Sequence, residues 1–142
     1  MITLANIRDF LKRFDLFEHY YIGKLDNKQD KSLGVYSLKR SEPPVTAIGG
    51  DNSYNIKGVS LLIHYNNNAD ETEIAAQKLF DKLRTVNDVT IGNTQIYMIQ
   101  LLMPEPVDVG TDDKGIYERV IEMKIYCVRK NCTMATTITG VY

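Results

Sequence analysis

Cysteine is scarce in this chain: Cys127 and Cys132 are its only two thiols. Two thiols are too few for a disulfide framework, and no second pair exists to complete a structural zinc site. Both are expected to be reduced. At 142 residues the chain needs no such staple, since a domain of this size buries roughly 68–70% of its unfolded surface. An excess of either charge is also missing, with 17 Lys+Arg against 18 Asp+Glu and a formal net charge of -1. That balance argues against a protein that grips nucleic acid, which must concentrate positive charge to displace counterions from phosphates. It does not argue against a conduit past which nucleic acid slides. Long apolar runs are absent too: IYMIQLLM (96–103) contains Gln100 and falls well short of the ~20 residues of a membrane span. In MITLANIRDFLKRF, Arg8, Asp9, Lys12 and Arg13 interrupt any secretory h-region. A soluble product made in a cytoplasm is expected.

Residues that carry catalysis are equally sparse. His19 and His64 stand far apart in the sequence among aromatic or apolar neighbours and read as structural. GGDNSYN (49–55) has neither the spacing nor the lysine of a phosphate-binding loop. Ser53 and Ser60 lack the context of a nucleophile elbow. The acidic stretch DVGTDDKG (108–115) fails as a calcium loop, because the sixth residue from Asp108 is Asp113 rather than glycine, and Gly110 stands at a ligand position. Asp112 and Asp113 are adjacent, so on a strand they would point to opposite faces and not converge on one atom. The stretch reads as a solvated turn of Asp112, Asp113, Lys114 and Gly115, residue types that reverse a chain. No catalytic residue, metal ligand or cofactor site is assigned.

The elements are clearer. Leu4, Ile7, Leu11 and Phe14 follow helical spacing, with Thr3 as N-cap. Phe17–Leu25 is expected to be extended, with 26–32 as a hairpin loop into a second strand near 33–40. Proline and glycine punctuation makes 41–55 a long irregular connection. Val59, Leu61, Ile63 and Tyr65 form one face of a central strand. Residues 66–86 form the main helix, capped by Asp70 with Glu73 or by Asn68 with Glu71. Thr72, Ala76, Leu79, Phe80 and Leu83 make its buried stripe, and Ile74 falls on the opposite face. Gly92-Asn93 marks a tight hairpin, and 116–128 alternates as a half-buried strand. The order predicts an α+β fold, a mainly antiparallel sheet with two helices packed on it, over residues 1–130. Residues 131–142 form a Thr-rich tail.

Two blocks carry a family likeness. IGGDNSYNIKGVSLLIHYNNNADETEIAAQKLFDKL (48–83) and EPVDVGTDDKGIYERVIEMKIYCVR (105–129) resemble the phage "minor capsid protein" family of Gram-positive siphophages and prophages, which is similar to the tail terminators, or tail-completion proteins. The resemblance implies a structural virion protein, not an enzyme, that forms a hexameric ring at the head-proximal end of the tail tube. Such a ring caps the tube and offers a joining face to the head connector, while DNA passes through its lumen without specific binding. The implied partners are other copies of the chain, the tail tube protein and the neck.

The expected contact surfaces are Gly49, Gly50 and Asp51, Ile74 on the second helix, the tip at Asp112, Asp113, Lys114 and Gly115, and the C-terminal tail. Removal of 110–114 is expected to spare the fold yet abolish tail joining. The alternatives are a head-completion or neck adaptor, a small enzyme using His64 and Asp51, and an unrelated binding module.

Overall fold

The computed structural model describes residues 2–26, 28–38 and 55–129. Helix α1 (Leu4–Lys12) is followed by strands β1 (His19–Ile22), β2 (Ser32–Ser37) and β3 (Asn55–His64), and by helix α2 (Ala69–Arg84). Strands β4 (Asn87–Ile91), β5 (Thr94–Leu101), β6 (Val107–Thr111) and β7 (Tyr117–Arg129) complete it. The fold is α+β, with a curled, mostly antiparallel sheet in the order β1-β2-β3-β7-β5-β4, and β6 paired to β7. Gly49, Gly50, Asp51 and the tail 131–142 lie outside the described residues.

Local chemistry sets the helix starts. Thr3 Oγ1 accepts the Asn6 N–H at 3.2 Å while Asn6 Oδ1 accepts the Thr3 N–H at 3.0 Å, a reciprocal cap on α1. For α2, Asn68 Oδ1 accepts the Glu71 N–H at 3.0 Å, which selects Asn68 over Asp70 as the cap. Glu71 does not reach back to it; its Oε1 takes the Asn66 amide at 2.8 Å instead. Both helices end on cations, Lys12 in α1 and Lys82 and Arg84 in α2, favourable at the negative end of the helix dipole.

Strand parity sets the core. Val59, Leu61 and Ile63 on β3 lie opposite Met123, Ile121 and Arg119 on β7. The apolar members of that set are fully buried, with Leu33 and Val35 from β2 and Ile96 from β5. Ile7, Phe10 and Leu11 of α1 and Ala76, Leu79, Phe80 and Leu83 of α2 join the same cluster. Each large side chain there contributes about 1.5–3 kcal/mol of transfer free energy. The Gly92-Asn93 hairpin is present, with Ile91 opposite Thr94 and Gly92 at φ +57.

Two expectations are corrected. Residues 26–32 do not close a hairpin, because β1 pairs parallel to β2, His19 opposite Ser32 and Ile22 opposite Val35. After Gly23 (φ +70) the chain doubles back beside a strand only about 13 Å long, short enough for 23–31 to span. The stretch 107–111 is strand rather than loop, pairing Val107 with Val120 and Thr111 with Tyr117. Gly110 (φ +92) takes up a bulge there that the one-dimensional pattern hides.

Candidate functional site

The acidic stretch and the end of β3 meet. The register puts Glu118 directly across from His64. The turn after β6 is closed by the Gly115 N–H donating to the Asp112 carbonyl at 3.1 Å, with Gly115 at φ +81. Asp112 Oδ1 accepts the N–H groups of both Lys114 and Ile116 at 2.9 Å, an Asx-type closure of the turn. The turn thereby brings its carboxylate onto the imidazole. His64 is fully buried, with Nδ1 2.9 Å from Glu118 Oε2 and Nε2 3.6 Å from Asp112 Oδ2.

Asp112 is therefore not a solvated tip residue: its side chain is 14% exposed. Burial pushes its carboxyl pKa up, but the N–H groups of Ile116 and Lys114 and the neighbouring His64 and Lys114 outweigh that, so the net shift is downward. The two carboxylates sit at opposite ring nitrogens and so do not converge on one ion. Among the described residues no cluster of His, Cys, Asp or Glu is arranged to hold a metal. The hydrogen bond of His64 goes to Glu118, its cross-strand neighbour on β7, while its Nε2 and Asp112 Oδ2 face each other beyond hydrogen-bond distance. The partner expected for His64 under an enzymatic reading, Asp51, lies outside the described residues.

The exposed members of the tip are Asp113, Lys114 and Gly115. Behind them Arg119 reaches both Asp108 of β6 (3.8 Å) and Glu73 of α2 (3.9 Å). Such long, partly solvated pairs are worth up to about 1 kcal/mol, but they fix the hairpin beside the first turns of α2. All five residues of β6 are exposed, Val107 by 44% and Val109 by 48%. Ile74, on the outer face of α2, is 47% exposed. The structure brings Asp112 to His64 and leaves Ile74 and Asp113–Gly115 on the surface.

At the other end of α2 a groove of about 440 Å³ runs between the helix and β5, lined by Phe80, Arg84, Ile99, Leu101, Met103 and Pro104. Neither this groove nor the His64 cluster was visible in the sequence, because each needs the strand register. The available signal was Glu118 falling on the polar parity of β7.

These are features of a body that presents edges and tips. The family model described as bacteriophage tail terminator protein matches residues 3–128. The chain belongs to the tail terminator family. No curated protein matches it. As a tail terminator family member it is a phage tail structural protein and a virion component. None of its described helices is long and apolar enough to cross a membrane.

Proposed function

We propose that this tail terminator closes the growing tail tube as a ring of identical copies, six by family resemblance, and offers the head connector its docking face. The observation that carries this reading is the family match, which spans both helices and all but the last residue of the sheet. Exposed Ile74, Val107 and Val109 suit it, because each surface of a ring subunit must bury about 800 Å² against its neighbour. A ring of like subunits joins two different patches and closes when the rotation between copies divides a full turn. A formal charge of -1 is compatible with DNA traversing the lumen without being held.

Loss of the protein should give overlong tail tubes beside full heads in micrographs of the particles. Leaking heads with tubes of normal length would place it in the neck instead and overturn the capping role.

A further inference from the structure

The two ends of α2 carry opposite charge, and so do the parts packed beside them. Asp70 and Glu71 open the helix, and the Arg119 pairs place Asp108 and the rest of the acidic hairpin at that end. At the far end stand Lys82 and Arg84. The Lys82 ammonium lies 5.9 Å from the Phe14 ring centroid, which brings the basic end of α1, Lys12 and Arg13, alongside. Asp9 and Asp81 at this end are engaged by Arg8 and Gln77, whereas no ion pair among the described residues engages Lys82 or Arg84. Each end also offers apolar surface: exposed Val109 on β6 at the acidic end, and the groove beside Arg84 at the basic end.

We propose that these ends are the two halves of one contact between copies of the chain. The β6–β7 hairpin and first turn of α2 of one copy pack against the groove between α2 and β5 of the next. Asp70, Asp108 and Asp113 then face Lys82 and Arg84. The proposal rests on the ring reading and adds the surfaces that make the ring.

The length of α2 separates the two charged ends within one subunit. Asp70 in its first turn and Lys82 in its last stand about 18 Å apart along the helix, whereas the start of β6 lies only three β7 positions from the groove, Val107 pairing with Val120 and Leu101 with Met123. A subunit cannot satisfy itself across the length of α2, so the contact is head-to-tail. Strand addition along the outer edge of β6 is the poorer fit. β6 is short, bulged between Asp108 and Gly110, and carries a charge, all of which discourage edge pairing. Val109, next to Asp108, would instead enter the apolar groove, with the carboxylates steering the approach.

The test measures the mass of the full-length protein in low-salt solution, alone and with tail tube protein, for the wild type and two charge reversals. One variant is Lys82→Glu with Arg84→Glu. The other is Asp70→Lys with Asp113→Lys, leaving Asp108 in place because its Oδ1 holds the Gly110 N–H at 2.8 Å. All four replaced side chains are exposed, and unchanged circular dichroism checks that both variants fold. Each variant alone should self-associate at least tenfold more weakly than wild type. Their equimolar mixture should regain the wild-type mass, because every junction then joins one acidic and one basic end. Wild-type assembly by both variants, or a mixture that stays dissociated, would overturn the assigned surfaces while leaving a ring intact. A wild type that stays monomeric even with tail tube protein would overturn the ring reading itself, and the proposal with it.

Discussion

One oxygen of Asp112 holds two backbone N–H groups and the other faces a buried imidazole, so a substitution can separate the two tasks. In Asp112→Asn the remaining carbonyl oxygen can still accept from Lys114 and Ile116, and only the charge is lost. The variant should be less stable by about 1 kcal/mol near neutral pH, the difference between charge-assisted and neutral hydrogen bonds. Because the carboxyl pKa is lowered in the folded state, that stabilisation is present above the unfolded value of about 3.9. It is lost as pH falls through the lower folded value. Urea titrations across this acid range should show the gap between the two proteins closing; a gap that stays constant would mean the charge is irrelevant. His64→Ala should be harsher, by about 2–4 kcal/mol in the same assay, since it opens a cavity and strips a part-buried Glu118 of its partner. Asp113→Ala, one residue from Asp112 but exposed, should stay within about 0.5 kcal/mol. The sequence showed the turn-forming types at 112–115 but not the inward aim of Asp112. Aim depends on what lies across the sheet, and the nearest clue, His64, is 48 positions away.

At the scale of elements, what could be read from the sequence divides along local and non-local physics. Thr3, Asn68 and Gly92-Asn93 act within a few residues, and the elements they start or join are where the pattern put them. The alternating runs of β3 and β7 were likewise plain, because one face of each is buried. The parallel β1–β2 pairing and the existence of β6 were not, since both are decided by the partner strand. Gly34 shows how a neighbour two positions along the same strand constrains one residue. Its position lies under the Tyr36 ring, and an added Cβ would come within 2.7 Å of Tyr36 Cε1 and 3.2 Å of Leu25 Cδ1. Gly34→Ala should therefore destabilise the sheet by about 1–3 kcal/mol through overpacking. Adding Tyr36→Ala removes the closer clash, so the double variant should be more stable than the sum of the two single losses by about 1 kcal/mol. Additive losses in chemical denaturation would show that the ring already swings clear of the new methyl.

For the molecule as a whole, the proposed contact between copies would tie stability to assembly. Ile74, Leu102, Val107 and Val109 are each at least 39% exposed in the isolated chain. Covering some of them against a neighbour withdraws that surface from water only in the folded state. Anything that binds the folded chain and not the unfolded one stabilises it by mass action, by about 1.4 kcal/mol for each tenfold rise in free partner once the site is mostly filled. When the partner is another copy, the midpoint of thermal unfolding must climb with protein concentration. A domain of this size shifts by a few degrees for each kcal/mol, so a hundredfold concentration series should raise the wild-type midpoint measurably. The same series on Lys82→Glu with Arg84→Glu should be flat, and added salt should flatten the wild-type curve by screening the exposed charges. A salt-insensitive climb shared by both proteins would point to an apolar contact elsewhere, with the Ile74 face of α2 as the next surface to alter.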